Sequence, residues 1–91
     1  MTDFEIISAI RKQMDLPLYV PIGWEWVMGW LVSAMRAKGL GFALECEAER
    51  LPFVTVFGKK KKYIVKAESS DDTAARRAVL QAALMALEGE K

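Results

Sequence analysis

The sequence predicts an α+β fold in which helices pack on a three-stranded antiparallel sheet, a meander, in the order ααβββα with α/β/α sandwich-like layers. Apolar residues recur at helical spacing as far as residue 38, and they alternate with a period of two from Phe42 onward. An alanine-rich segment with helical spacing follows residue 71. The 91 residues suit one domain, because a chain this short cannot enclose two separate cores.

The first helix is predicted over residues 3–15. Thr2 and Glu5 have the spacing of a capping box, in which each side chain accepts a hydrogen bond from a backbone N–H left free by the first turn. Pro17 and Pro21 stop further helix, because proline fixes the backbone and removes a donor. We therefore expect an extended connector over residues 16–22.

The second helix is predicted over residues 23–38, with Gly39 as the left-handed residue that follows its end. Its apolar residues lie on two sides. One stripe is formed by Trp24, Val27, Met28, Leu31 and Met35. Trp26 and Trp30 lie about half a turn away from it. Since a helix on a lone sheet needs one apolar stripe, we expect a second burial partner, namely another copy of the chain.

Three strands are predicted over residues 41–48, 52–58 and 62–67, with a hairpin turn at Gly58 and the lysines after it. Cys46 falls on the apolar side of the first strand and is expected in the core. Glu45, Glu47 and Glu49 fall on the opposite side. The segment 53–57 is apolar at nearly every position, so both of its faces should be covered, by helices or by a second subunit.

The last helix is predicted over residues 72–88. Ser69, Ser70, Asp71 and Asp72 each offer an N-cap side chain. N-capping also explains Asp71 and Asp72 better than acid–base chemistry by paired carboxylates does. Adjacent residues at a helix start point in different directions, so their carboxylates do not face each other.

Composition excludes several kinds of function. Lysine plus arginine total 13 and aspartate plus glutamate 12, so no global charge draws the protein to nucleic acid or to a membrane surface. The chain has no histidine, which excludes histidine-based catalysis and the usual zinc sites. A single cysteine and the lack of a signal-like or membrane-spanning segment predict a cytoplasmic protein. We expect no cofactor, no metal and no enzymatic activity.

Most of the chain resembles the phage ABA sandwich family, small phage and prophage proteins of largely unassigned role. The similar segments are Pro17–Tyr19, Met35–Gly39, Phe42–Glu45, Ala67–Glu68 and Asp72–Ala74 with the alanine-rich helix after it. The chain departs from the family at residues 20–22, where a polar cap is usual, and at Ala75, where proline is usual. The resemblance implies a three-layer fold and a phage origin, hence the host cytoplasm, and transfers no site residue.

These observations predict a non-enzymatic accessory protein that acts as a homodimer or higher homo-oligomer. Trp26, Trp30 and Ala37 are the candidate interface residues. The two tryptophans could instead belong to the core, or could stack on a ligand. The alternative function is a phage counter-defence protein that sequesters a small signalling nucleotide; a host protein is a further candidate partner.

Lys59, Lys60, Lys61 and Lys62 form the only charge run and are candidate anion contacts. They predict either a weak nucleic-acid contact or a solvated turn that discourages edge-to-edge sheet association. We favour the solvated turn, because a nucleic-acid surface usually spreads basic residues over a face and adds aromatics for stacking.

Overall fold

The computed structural model of the chain describes residues 2–14 and 24–90, with the side chains of Met14, residues 24–28, Trp30 and Ala34 outside that description. It confirms the α+β fold and the order ααβββα. The elements are α1 (Asp3–Met14), α2 (Trp24–Ala37), β1 (Gly41–Glu45), β2 (Phe53–Phe57), β3 (Lys62–Lys66) and α3 (Asp72–Gly89). The predicted connector 16–22 lies outside the described residues.

Local signals in the sequence set the helix ends. The Thr2 N–H donates to the Glu5 carboxylate at 3.0 Å, and the Glu5 N–H donates to the Thr2 hydroxyl at 3.2 Å, so the capping box is formed. Gly39 has φ of 76°, the left-handed conformation that glycine adopts without a Cβ clash. The Leu40 N–H then donates to the Met35 carbonyl at 2.9 Å, which turns the chain from α2 into β1.

Asp71 is the N-cap of α3 among the four polar candidates. Its carboxylate accepts from the Ala74 N–H at 2.8 Å and from the Ser69 hydroxyl at 2.6 Å. These hydrogen bonds, with that of Ser69 the largest cause, lower the pKa of Asp71 below its ordinary 3.8. The Asp71 carboxylate therefore caps helix α3, as its N-cap interpretation predicts.

The sheet is an antiparallel meander with β2 in its centre. Phe42 pairs with Val56, which pairs with Tyr63, so these three side chains share one face. Helix α3 packs on this core face, and α1 packs on α3. Buried side chains form one cluster across the core face and the helices: Ile6, Ile10, Leu31, Met35, Leu40, Val54, Val56, Tyr63, Ala67, Ala78, Val79, Leu80, Ala82, Ala83, Ala86 and Leu87.

The buried alanines of α3 allow this helix to pack closely on its neighbours. Ala82, Ala83 and Ala86 are fully buried, and a small side chain lets the helix backbone come near its neighbours. Val79 and Leu80 are the largest side chains of this helix that are fully buried. At the start of α3, Arg76 Nε lies 3.8 Å from the carboxylate of Asp3, which links α3 to the first turn of α1.

The first strand is shorter than the sequence predicts, and this corrects two expectations. Strand β1 ends at Glu45, so Cys46 is exposed rather than in the core. Glu47 lies in the turn that follows, where it contacts Arg50 at 3.4 Å, rather than beside Glu45 on a strand face. The strand stops because the next pairing position would face Pro52, which has no N–H to donate.

Candidate binding surfaces

The side of the sheet opposite the core face carries exposed apolar groups. This outer face is formed by the alternate strand residues Ala43, Glu45, Phe53, Thr55, Phe57, Lys62, Ile64 and Lys66. Phe57 is 41% exposed and Ile64 is 58% exposed. Thr55 is only 6% exposed, because it occupies the centre of the face, between Ala43 and Ile64 on the neighbouring strands. Within the described residues the helices leave Phe57 exposed, and cover of this side of β2 by a second subunit stays a prediction.

Charges of opposite sign border the outer face. Lys62 and Lys66 lie on β3, and Glu45 lies at the far end of β1. The Lys62 ammonium is 5.5 Å from the centroid of the Phe57 ring, within the range of a cation–π contact. The outer face thus combines exposed apolar surface with a basic strand on one side and a carboxylate on the other.

A second candidate lies at the β2–β3 turn, where three donors converge on the carboxylate of Glu90. The Lys60 N–H lies 3.2 Å from Glu90 Oε1 and 3.2 Å from Oε2, and the Lys59 N–H donates to Oε1. The Tyr63 hydroxyl donates to Oε2 at 2.8 Å. We call the two backbone N–H groups and the Tyr63 hydroxyl the hairpin nest, since successive N–H groups that converge in this way bind anions.

Two glycines make the close approach at the hairpin nest possible. A Cβ on Gly58 would lie 2.8 Å from the Glu90 carboxyl carbon and 2.9 Å from the Lys61 carbonyl oxygen. A Cβ on Gly89 would lie 2.7 Å from Tyr63 Cε1, and a buried ring cannot easily move away. A larger residue at position 58 would therefore push Glu90 away from the turn, and one at position 89 would push the end of α3 away from Tyr63.

The hydrogen bonds at the nest shift the pKa values of both Glu90 and Tyr63. Partial burial alone would raise the pKa of Glu90, but hydrogen bonds from Tyr63, Lys59 and Lys60 outweigh it, so this pKa lies below its ordinary 4.5. Burial, together with the hydrogen bond to Glu90 and its negative charge, raises the pKa of Tyr63 above 10.0. At neutral pH the nest therefore holds an ionised carboxylate against a neutral phenol.

A cavity of about 160 Å³ adjoins the hairpin nest. It is lined by Gln13, Lys38, Leu40, Lys59, Leu87 and Glu90. The Lys59 side chain also passes close to Gly39, where its Cε lies 3.5 Å from the position a Cβ would take. Two cationic side chains thus border a space next to the three donors.

The four lysines of the charge run lie at the predicted turn, but they do not form one patch. All four are exposed. Lys62 is the first residue of β3 and lies on the outer face, whereas the Lys61 ammonium lies 5.3 Å from the Tyr63 ring on the core side. Because Tyr63 is buried under α3, its ring is not available to stack on a nucleotide.

The predicted interface residues of α2 stay predictions. Ala37, the last residue of α2, is exposed. The side chains of Trp26 and Trp30 are outside those the structure describes.

Sequence reasoning placed Gly58 at the turn, but it did not single out Glu90 or the outer face. Strand alternation could have separated Phe57 from Val56, but it does not say which face a helix covers. Glu90 lies 30 residues from Lys60 along the chain, and no local pattern marks such a pair.

Metal-ligand clusters and membrane-spanning helices are absent from the described parts of the chain. Residues 2–14 and 24–90 contain no group of three or more Cys, Asp or Glu side chains placed to hold a metal ion. Within the same ranges, no helix is both long and apolar enough to cross a bilayer.

Comparisons of the chain with protein-family models, with curated proteins and with solved structures found no match. The fold and the surfaces define the class of the protein: an α+β chain whose sheet is covered by α3 on one face, with Leu44 at the β1 edge 39% exposed, and is partly open on the other face.

Proposed function

We propose that the protein is a non-enzymatic binding module that works as a homodimer, in which two copies meet through the outer face of the sheet. The observation that carries the proposal is the exposure of Phe57 and Ile64 on a face bordered by opposite charges. Sheets that pack face to face bury such residues in an interface about 10 Å thick. The phage or prophage setting rests on the sequence resemblance alone.

The charges of the outer face favour one arrangement of the two copies. A two-fold axis parallel to the strands places β1 of one copy over β3 of the other. Each row of paired residues then lies over the same row of the second copy. Glu45 then lies over Lys66 of the second copy, because both occupy the row of Phe53. An axis across the strands would instead place Lys62 over Lys66, and like charges that face each other oppose association.

The size of the outer face predicts a weak dimer unless another surface contributes. Three strands of five residues cover roughly 17 Å by 14 Å. Stable interfaces usually bury about 800 Å² on each partner, roughly three times that area. The tryptophan-bearing helix α2 buries Leu31 and Met35 in the core cluster, on the other side of the sheet, so we propose it as a separate contact, with a further copy, that would make a higher oligomer.

The experiment compares two substitutions of exposed apolar residues. Ile64→Glu places a charge on the outer face, and Met85→Glu places the same charge on α3, where Met85 is 45% exposed. Sedimentation velocity from micromolar to millimolar concentration should show self-association of the wild type and of Met85→Glu, and its loss in Ile64→Glu. Equal association of all three proteins, or a wild type that stays monomeric, would refute the proposal.

A second function has one specific observation in its favour. Phe57 is exposed beside Lys62, and Lys66 lies at the other end of β3 on the same face; exposed aromatic and basic groups on one surface are what proteins use to bind single-stranded nucleic acids. Binding of this kind would weaken steeply with salt and would be lost in the double variant Lys62→Ala, Lys66→Ala. Binding that salt does not affect would exclude it.

A further inference from the structure

The hairpin nest is an anion site whose present occupant belongs to the chain itself. The N–H groups of Lys59 and Lys60 and the hydroxyl of Tyr63 all donate to the carboxylate of Glu90. We infer that the hairpin nest is a binding site for a phosphate group, and that Glu90 fills the site when no phosphate is bound. This inference is independent of the proposed dimer, since Tyr63 belongs to the core face and not to the outer face.

The chemistry of the site suits phosphate. A phosphate group offers the same kind of anionic oxygen as a carboxylate to N–H and O–H donors, with one more terminal oxygen and a larger negative charge. The adjoining cavity of about 160 Å³ gives room beyond the volume of the Glu90 carboxylate. Lys38 and Lys59 line that cavity, so cationic side chains lie beside the three donors.

The position of Glu90 allows it to leave. It follows the last residue of α3, Gly89, and is held to the helix by one backbone hydrogen bond, from its N–H to the Ala86 carbonyl at 2.9 Å. Helix ends open at low free-energy cost compared with helix interiors. A tethered carboxylate competes with free ligand at an effective concentration in the millimolar range or above. Wild-type protein should therefore bind free phosphate weakly, and a variant without this carboxylate should bind it more tightly.

The test follows the backbone amide signals of Lys59 and Lys60 by NMR during titration with inorganic phosphate at constant ionic strength. Glu90→Ala empties the nest and is expected to lower the Kd for phosphate at least about tenfold relative to wild type. Glu90→Gln keeps the shape of the side chain without its charge and should give an intermediate Kd. Tyr63→Phe in the Glu90→Ala background removes one donor and should weaken binding again.

Glu88→Ala is the matched control, because Glu88 is exposed near the same helix end and its removal changes the net charge equally. If Glu88→Ala binds phosphate as tightly as Glu90→Ala, the effect is general electrostatics and the inference is wrong. It is also wrong if neither Glu90→Ala nor Glu90→Gln shows saturable shifts at Lys59 and Lys60, since Glu90 is then only a structural clamp on the turn.

The source of the phosphate is resolved by a second titration with adenosine 5′-monophosphate. Equal Kd values for the two probes assign the nest to the phosphate group alone. Tighter binding of the monophosphate assigns it to a phosphate ester whose remainder lies in the adjoining cavity. A monophosphate that binds without shifting the Lys59 and Lys60 signals would place its site elsewhere and contradict the inference.

Discussion

The two faces of the sheet are made from alternate residues of the same strands, yet their side chains differ in how far they are buried. On the core face, Val54 and Val56 are fully buried with α3 packed on them. On the outer face, Phe57 and Ile64 are large, apolar and exposed. The core face therefore fixes the fold within one chain, while the outer face has apolar surface left for a partner.

The largest effect that this comparison predicts is a difference in stability between matched truncations. Leu80 is fully buried in α3, so Leu80→Ala should lower the free energy of unfolding by about 2–5 kcal/mol through lost transfer energy and the cavity left behind. Ile64→Ala on the outer face should change it by no more than about 0.5 kcal/mol in dilute monomer. Urea denaturation at low micromolar concentration measures both, and equal losses would mean that the faces do not differ.

A smaller effect is expected at the end of α3, where Gly89 lies against Tyr63. Gly89→Ala forces a methyl group into the ring and should cost about 1–3 kcal/mol of stability. Gly29→Ala is the control, because no atom of the residues that the structure describes lies within 4 Å of a Cβ at this exposed position of α2. There the change should stabilise the protein by about 0.5–1 kcal/mol, since glycine is a poor helix residue. A stabilising Gly89→Ala would show that Tyr63 does not hold the helix end in place.

The smallest effect concerns acid pH and the contact between Glu90 and the turn. The folded pKa of Glu90 is depressed, so its contribution to stability is present above the unfolded pKa near 4.5 and is lost as pH falls through the folded value. Glu90→Gln should remove part of the fall in stability below pH 4.5, and Glu88→Gln, which removes the same charge at an exposed position near the same helix end, is the control. Thermal unfolding at a series of pH values from neutral to acid provides the measurement. An unaltered acid profile for Glu90→Gln would contradict the depressed pKa.

The parts of the fold that sequence predicts well are those set by neighbours along the chain. The capping box at Thr2 and Glu5 and the left-handed Gly39 depend only on residues a few positions away. The alternation predicts that β1 continues to residue 48, beyond its observed end at Glu45. A pattern within one strand takes no account of Pro52, which follows in the pairing.

The candidate sites depend on tertiary packing, which explains why most of them were not foreseen. The lysine turn was located correctly, but its role with Glu90 requires knowing that α3 ends beside it. The outer face requires knowing which side of β2 receives the helix. Both facts come from how the elements pack, and no pattern within a single element records them.

A charge exchange on the outer face tests whether two copies meet there with Glu45 over Lys66. Glu45→Lys alone and Lys66→Glu alone should each weaken self-association in sedimentation velocity, because each places like charges opposite one another. The double variant should restore association to near the wild-type level. If the double variant associates no better than the single ones, the charges do not face each other and the proposed arrangement is wrong.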